Sequence, residues 1–266
     1  MKKIFLMIIA FASVGTQGYA QKKDSLADAK VQTKTFKISK SVGKVFIDLG
    51  NSSIEGYAGN EIIISSQILP EQVDEKAKGL RTVNQAGLED NTGLDISVTE
   101  DGGIVKIRQV NWINPPHKKI LVPHGMIIAF ENQAKSQEEI TFKNIRNELE
   151  VSTIYNRIIM ENVTGPVTVK SLYGDIDAVF SQIVKGPLSL LTRDGHIDLT
   201  LPNNVKSDLK MKTKYGELLV SPELKIEIQK QEKKNPNNNE VNAKINGGGF
   251  SIDLSTSNGK IYLRSK

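Results

Sequence analysis

The sequence contains no cysteine, which excludes disulfide scaffolds, thiolate metal sites, cysteine nucleophiles and lipid anchoring through an N-terminal cysteine. Aromatic residues make up only 6% of the 266 residues and include one tryptophan, while hydrophobic residues make up 38%. This apolar content is low for a compact enzyme and favours an elongated protein with a thin core. The formal net charge is only +5 and the basic residues form no cluster, so the composition argues against a nucleic-acid partner.

Long apolar runs are absent except at the N-terminus. There, Lys2 and Lys3 precede an apolar segment over 4–14, and small residues follow it. This three-part pattern is typical of a signal peptide and predicts that residues 1–20 are removed before Gln21. The apolar segment is too short to span a hydrocarbon core of ~30 Å. We therefore predict an exported protein, in the periplasm or at the cell surface, with no transmembrane span after signal removal.

The C-terminal half of the chain repeats itself. The segment 163–166 (VTGP) recurs 21 residues later as 184–187 (VKGP). A second unit, in which a hydroxyl residue is followed three positions later by glycine or asparagine, occurs at 153–158, 171–176, 192–197, 213–218 and 256–261. The glycine or asparagine positions are separated by 18, 21, 21 and 43 residues, and the last step is close to twice the others. Self-similarity at a fixed period indicates a repeat architecture.

Apolar and polar residues alternate on both sides of each repeated turn, so each strand has one buried face and one solvent-exposed face. We predict an all-β fold, a parallel β-solenoid (β-helix) built from rungs of about 18–22 residues. In this fold one interior row would contain Leu149, Val167, Leu188 and Leu209. A β-sandwich or a meander of hairpins is the alternative, because Asp-Gly and Asn-Gly turns also favour hairpins. We expect the turn glycines to adopt positive φ.

The predicted domain organisation is simple. A mobile N-terminal segment over 21–32 precedes a single β-repeat domain over 33–266, with weaker repeats over 33–140 and clear repeats over 141–266. Apolar residues spaced as on one helix face predict a short amphipathic helix near 71–82. The polar, low-complexity stretch over 229–240 predicts a disordered surface loop, which explains the doubled spacing before the last repeat.

Four stretches of the chain resemble a known family: 162–169 (NVTGPVTV), 173–177 (YGDID), 185–190 (KGPLSL) and 255–264 (STSNGKIYLR). They are similar to the secreted bacterial "putative adhesin" domain family of unknown function. The resemblance covers roughly 33–266 and implies a β-solenoid-like fold and a location at the cell surface or envelope. It implies no catalytic or binding residues.

Three tyrosines occupy equivalent places just before the turn glycine or asparagine: Tyr155, Tyr173 and Tyr215. In a solenoid they would rise along one corner. An exposed aromatic row stacks on sugar rings or anchors a protein partner, because aromatics give a large contact area at a small entropic cost. These tyrosines are the candidate ligand-binding residues, and the competing interpretation is that each one packs over its own turn.

Three aspartates follow the repeated turns and would project from one outer face: Asp175, Asp177 and Asp198. Stacked carboxylates bind Ca²⁺ or act as an acid–base pair on polysaccharide, but they are also ordinary outward residues between buried isoleucines. The glycine-rich nonapeptide of Ca²⁺-binding β-rolls is absent, as are zinc-enzyme histidine pairs, a G-x-S-x-G elbow and a phosphate-binding loop. We therefore predict no enzyme, no cofactor and no metal beyond this weak Ca²⁺ candidate.

The resulting expectation is an exported, non-enzymatic, adhesin-like β-repeat protein that acts in binding or scaffolding at the cell envelope. Its partner would be a glycan or an envelope or host protein. The alternatives are a polysaccharide-acting β-solenoid enzyme that uses the three aspartates, and a periplasmic structural or stress-response component. The sequence predicts no oligomeric state.

Overall fold

The computed structural model describes residues 32–68, 75–135, 137–229 and 239–266, and these residues belong to one compact unit. They form strands in two sheets that enclose one apolar core. The strands are β1 (Gln32–Ile38), β2 (Gly43–Asp48), β3 (Ser52–Tyr57), β4 (Ile62–Ile68), β5 (Ile96–Asp101), β6 (Ile104–Gln109), β7 (Lys118–Pro123), β8 (Met126–Asn132), β9 (Glu139–Lys143), β10 (Leu149–Thr153), β11 (Arg157–Val163), β12 (Val167–Ser171), β13 (Ile176–Phe180), β14 (Leu188–Leu191), β15 (Ile197–Leu201), β16 (Ser207–Thr213), β17 (Leu218–Val220), β18 (Ile226–Ile228), β19 (Asn239–Ile245), β20 (Phe250–Thr256) and β21 (Ile261–Ser265). The predicted signal peptide over 1–20 lies outside the described residues, as does the segment that follows it up to residue 31.

Two-stranded rungs make up the solenoid, and each rung contributes one strand to each sheet. In spatial order the rungs are β6–β7, β2–β3, β8–β9, β10–β11, β12–β13, β14–β15, β20–β21 and β16–β17. Neighbouring rungs pair in parallel in both sheets. The predicted parallel β-solenoid is therefore confirmed, and the strands are not joined as hairpins along this part of the fold. We call the sheet that contains β3 sheet A and the sheet that contains β2 sheet B.

The interior row differs from the predicted one at one place. Leu149, Val167 and Leu188 are successive register partners, but the next partner is Ile252 of β20, and Leu209 follows it. All five side chains are buried. The last repeat of the sequence therefore lies between two earlier ones, which spacing along the chain does not reveal.

The first and the last rung along the chain both lie inside the stack of rungs and not at its ends. The first rung, β2–β3, lies between β6–β7 and β8–β9. The last rung, β20–β21, lies between β14–β15 and β16–β17. As a result neither terminal rung is at an end of the solenoid.

Antiparallel strands cover three of the four sheet ends. β5 pairs with β6 at one end of sheet B, and β4 followed by β1 extends sheet A at the same end. At the other end of sheet B, β19 pairs with β16 and β18 pairs with β19. Such strands form hydrogen bonds with the N–H and C=O groups of the last parallel strand, which would otherwise be free to pair with another chain. In the described residues sheet A ends at the short strand β17.

The predicted helix near 71–82 is much shorter in its described part. A single 3-10 turn covers Glu75–Ala77, and the chain then leaves helical geometry at Gly79, which has φ of +80°. Leu80, which the helical spacing assigns to the buried face, is 76% exposed. Of the predicted loop over 229–240, residues 230–238 lie outside the described residues, whereas residues 239 and 240 begin β19.

The glycines at the repeated turns are needed because neighbouring turns pack closely, and not because their backbone is left-handed. Gly174, Gly195, Gly216 and Gly259 do not have positive φ, so the expectation from turn chemistry is wrong for them. A Cβ on Gly195 would lie 2.3 Å from the carbonyl oxygen of Gly174, and a Cβ on Gly259 would lie 1.9 Å from that of Gly195. Only glycine allows neighbouring turns to stack at this distance.

A ladder of hydroxyl groups joins these stacked turns. Thr192 Oγ1 accepts a hydrogen bond from the backbone N–H of Gly195 (3.3 Å) and donates one to the carbonyl of Gly174 on the neighbouring rung (3.0 Å). Thr256 makes the same pair of bonds with Gly259 (3.2 Å) and Gly195 (2.9 Å). The repeated hydroxyl-x-x-Gly unit is therefore explained by the geometry of the turn.

Candidate functional site

Two of the three candidate tyrosines meet at one corner of the solenoid. The rings of Tyr155 and Tyr173 stack with centroids 5.1 Å apart and planes 18° apart. The backbone N–H of Tyr173 donates to the carbonyl of Ile154 (2.8 Å), which fixes the two turns in register. Tyr173 is 42% exposed, and the Arg193 guanidinium lies 6.0 Å from its ring centroid. We call Tyr155, Tyr173 and Arg193 the tyrosine corner.

Tyr215 occupies an equivalent position but is not part of this stack. Two rungs separate it from Tyr173, and at the corner these carry Asp194 and Asn258, whose amide donates to the aspartate carboxylate. Tyr215 is 69% exposed, and the Lys214 ammonium lies 4.8 Å from its ring centroid. The three predicted residues therefore form a stacked pair and one separate ring.

Two of the candidate aspartates are partnered by arginines. Asp177 of β13 and Asp198 of β15 are register partners on the outer face of sheet A. Arg157 contacts Asp177 with Nη2 to Oδ2 at 2.7 Å, and Arg264 makes three hydrogen bonds of 2.7–3.0 Å to Asp198. These hydrogen bonds raise the pKa of Arg157 and of Arg264, since each carboxylate stabilises the charged guanidinium.

A histidine connects the third aspartate to this row. His196 places Nδ1 3.0 Å from Asp175 Oδ1 and Nε2 3.1 Å from Asp177 Oδ1. Its backbone N–H also donates to Asp175 (2.9 Å). The carboxylate oxygens that Ca²⁺ would need are thus engaged with cations and N–H donors. Within the described ranges no group of three or more His, Cys, Asp or Glu side chains is arranged to hold a metal ion.

Sequence reasoning missed an open cleft of about 550 Å³ on the outer face of sheet B. Arg108 of β6, Asp48 of β2 and Glu131 of β8 are register partners and form a row across its floor. Phe46 lies on the same face of β2, and Trp112 from the loop after β6 forms one wall. We call this site the Trp112 cleft.

The carboxyl group of Asp48 is perturbed by its surroundings in the cleft. Its pKa is raised to about 6, mainly by burial and also by the negative charge of Glu131, while the positive charge of Arg108 opposes both effects. Arg108 also lies 5.8 Å from the ring centroid of Phe46. Perturbed carboxyl groups inside a cavity are a common mark of functional sites.

The loop that carries Trp112 is held from both sides. Gln109 Nε2 donates to the carbonyl of Asn111 (2.7 Å), and Asn51 Nδ2 donates to that of Pro115 (3.4 Å). The indole Cζ3 atom lies 3.7 Å from the place that a Cβ on Gly50 would occupy, so the ring is close to the chain at Gly50. Two side-chain hydrogen bonds and this close approach therefore position the loop that carries the tryptophan.

The sequence contained only one signal for this cleft, namely the single tryptophan. Asp48 and Arg108 are 60 positions apart, and their pairing depends on the insertion of β2 between β6 and β8. Periodicity along the chain carries no information about that insertion.

The protein is a two-sheet parallel β-solenoid. Its surface carries the aspartate–arginine pairs of sheet A, the tyrosine corner and the Trp112 cleft. Residues 95–264 match the family model described as Toastrack DUF4097, and the chain belongs to this family, whose function is unknown. The resemblance to adhesin-like domains seen in the sequence agrees with this membership.

Solved structures similar to this chain include two described as adhesion proteins. A "putative cell adhesion protein" from Clostridium sporogenes ATCC 15579 is 12% identical with a TM-score of 0.46, and the match covers 89% of this chain and 100% of that one. A "putative adhesin" from Bacteroides fragilis NCTC 9343 is 10% identical with a TM-score of 0.32, with 89% and 97% covered. No curated protein matches the sequence significantly. Among the described residues, no helix is long and apolar enough to cross a membrane.

Proposed function

We propose that this protein is an exported, non-enzymatic, adhesin-like β-repeat protein that binds a partner at the cell envelope. The observation that carries the proposal is the tyrosine corner. Two stacked rings and an arginine are presented at the surface by turns whose backbone and hydroxyl hydrogen bonds fix them in place. A rigid aromatic surface of this kind binds glycans or proteins at a small entropic cost.

The charges on the face of sheet A support a binding role over a catalytic one. A polysaccharide-acting enzyme needs one carboxyl to donate a proton and another to act as base or nucleophile. Asp177 and Asp198 instead hold arginines at 2.7 Å, so their carboxylate oxygens are occupied by guanidinium donors. These aspartates therefore contribute to the surface of a scaffold.

Export is part of the proposal and rests on the pattern of residues 1–20. It is tested by protease shaving of intact producing cells, followed by immunoblotting against a lysed and fractionated control. We expect digestion without lysis, which is the result for a surface-exposed protein. Full protection in intact cells would contradict the adhesive role and would favour a periplasmic structural component.

Binding through the tyrosine corner is tested by retention of the purified exported protein on isolated cell envelopes. We expect the double variant Tyr155→Ala/Tyr173→Ala to lose most of this retention, because both stacking surfaces are removed. Tyr262→Ala is the matched control, since Tyr262 is a partly exposed tyrosine on the outer face of sheet A. Equal retention of the double variant and the unaltered protein would contradict a binding role for the corner.

A further inference from the structure

We propose that the Trp112 cleft binds a saccharide that carries no acidic group. The cleft lies on sheet B and is distinct from the tyrosine corner, so this inference does not depend on the function proposed above. It combines an exposed indole, two carboxyl groups and a guanidinium around one cavity of about 550 Å³.

Trp112 is the only tryptophan of the chain and is 39% exposed, in a loop whose carbonyl groups accept hydrogen bonds from the side chains of Gln109 and Asn51. Large aromatic residues are mostly buried in soluble proteins, so an ordered and exposed indole beside a cavity needs an explanation. Its flat face suits the C–H face of a pyranose ring and offers a large contact area with few rotatable bonds.

The polar groups of the cleft match the hydroxyl groups of a sugar. The carboxyl groups of Asp48 and Glu131 accept hydrogen bonds from hydroxyls, and the Arg108 guanidinium donates to hydroxyl oxygens. Gln133 Nε2 donates to Glu131 Oε1 (2.8 Å) and so orients that carboxylate. A few fixed polar groups beside apolar walls are typical of small-ligand sites.

The same charges discriminate against acidic sugars. Asp48 lies between Arg108 and Glu131 on the two neighbouring strands, and its pKa is raised first by burial and then by the negative charge of Glu131. A uronic acid would bring a third carboxylate into the cleft, and like charges in a partly desolvated site are unfavourable. Neutral and amino sugars do not meet this repulsion.

The turn that contributes Ala86 and Leu88 to the lining of the cleft is also held by hydrogen bonds. Asn84 Oδ1 accepts hydrogen bonds from the backbone N–H groups of Ala86 (3.0 Å) and Leu88 (3.1 Å), two residues that line the cleft. Asn84 Nδ2 donates to the carbonyl of Val110 and ties this turn to the end of β6 (3.3 Å). A site that is already ordered loses little conformational entropy on binding.

Because the chain has one tryptophan, emission excited at a wavelength that tyrosine does not absorb reports on the surroundings of Trp112 in this cleft. The test is a fluorescence titration of the exported protein with cellotetraose, with a β-1,4-linked glucosamine tetrasaccharide and with tetragalacturonate. We expect saturable changes in emission with at least one of the first two probes and none with the third. The absence of any response to the first two, or an equal or tighter response to tetragalacturonate, would overturn the proposal.

Variants locate the binding, which is then measured by calorimetry. We expect Trp112→Ala to weaken the affinity by at least about tenfold, as is usual for a central aromatic contact, and Trp112→Phe to retain part of it. Tyr262→Ala, which removes a partly exposed aromatic ring on the outer face of sheet A, should leave the affinity unchanged. If Trp112→Ala binds as tightly as the unaltered protein, the saccharide lies elsewhere and the proposal is wrong.

The role of Asp48 is tested by pH, with cellotetraose as probe, because this sugar has no group that titrates in this range. Above the pKa of Asp48 both carboxylate oxygens accept hydrogen bonds from sugar hydroxyls, and below it one oxygen carries a proton and this acceptor capacity falls. Glu131 and Arg108 face Asp48 from the two neighbouring strands. We expect the affinity to fall as the pH decreases from 7 to 5, and Asp48→Asn to flatten this dependence. An unaltered pH dependence in Asp48→Asn would remove Asp48 from the site.

Discussion

At the scale of single residues, four of the repeated turns depend on a glycine that no other residue can replace, namely Gly174, Gly195, Gly216 and Gly259. The carbonyl oxygen of Gly195 lies where a Cβ of Gly259 would be placed, at 1.9 Å, and the same crowding recurs at Gly174 and Gly195. Because the obstacle is backbone, a side-chain rotation cannot relieve it. The spacing between two rungs would have to increase.

We expect Gly259→Ala to lower the free energy of unfolding by about 3 kcal/mol or more, because overpacking in an ordered stack forces the backbone apart. The matched control is Gly102→Ala, since Gly102 has φ of +57° but no heavy atom within 4 Å of an added Cβ. That variant should lose only about 1–2 kcal/mol from backbone strain. The measurement is urea denaturation followed by circular dichroism, and a larger loss in the control would contradict the stacking argument.

Lys118 is a second residue whose environment determines stability. Its side chain is fully buried at the start of β7, where the ammonium donates to the carbonyl of Pro116 (3.2 Å). Burial lowers its pKa to about 8, although Asp95 and Asp90 partly oppose this shift. Between this value and its ordinary pKa of about 10.5 the unfolded chain holds more protons than the folded one. Stability should therefore rise with pH across this window.

We expect Lys118→Met to stabilise the protein at pH 7 by about 1–3 kcal/mol, because the cost of burying an ammonium is removed. The variant should also lose the rise in stability between about pH 8 and 10.5. Urea denaturation at several pH values measures both effects. The prediction is wrong if Lys118→Met lowers the free energy of unfolding and leaves its dependence on pH unchanged. That result would show that the buried ammonium stabilises the fold.

At the scale of strands and rungs, the inserted strands β20 and β21 are as deeply embedded as any in the molecule. Leu254 of β20 is fully buried and pairs with Leu190 of β14 and with Met211 of β16. A strand near the end of a chain is often a dispensable edge. Here both neighbours of β20 lose a partner if it is removed.

We expect Leu254→Ala to lower the free energy of unfolding by about 3 kcal/mol, as much as Leu190→Ala in the middle of the chain, since both side chains are fully buried. Leu219→Ala on the outer face of β17 is the control and should change it by less than about 1 kcal/mol, because Leu219 is 41% exposed. The measurement is again urea denaturation. A small effect of Leu254→Ala would mean that the last rung is peripheral in solution.

The sequence predicts the individual strands and rungs, but it does not predict the order in which the rungs stack. Alternation and the repeated turn predict the strands, the rung length and the buried face, since these depend on neighbouring residues. The same repeat places Tyr155 next to Tyr173. The order of the rungs is not predictable in this way, because inserting β2–β3 and β20–β21 leaves every local pattern unchanged. The Trp112 cleft was missed for the same reason, since Asp48 meets Arg108 and Glu131 only after β2 is inserted.

At the scale of the whole molecule, the two insertions change how the solenoid can come apart. A solenoid whose rungs follow the chain order behaves as a row of nearest neighbours and opens from either end. In this protein an opening that begins at β16–β17 must separate it from β20–β21, the end of the chain. An opening at β6–β7 must likewise separate it from β2–β3, the first rung of the chain. Rungs distant in sequence are thereby coupled at both ends of the stack.

We therefore expect the protein to unfold in urea in one cooperative transition, with the same midpoint by far-ultraviolet circular dichroism and by Trp112 fluorescence. The first signal averages over all rungs, whereas the second reports on the cleft near β2 and β6.

A chain ending at residue 249 lacks β20 and β21, so β14 and β16 lose a shared partner, and we expect it to lose the cooperative transition. A chain beginning at residue 39 is the control, because it lacks only the edge strand β1 and keeps every rung. It should unfold cooperatively at a lower urea concentration. Two separate midpoints in the unshortened protein would show that its rungs unfold independently, whatever their order in the stack.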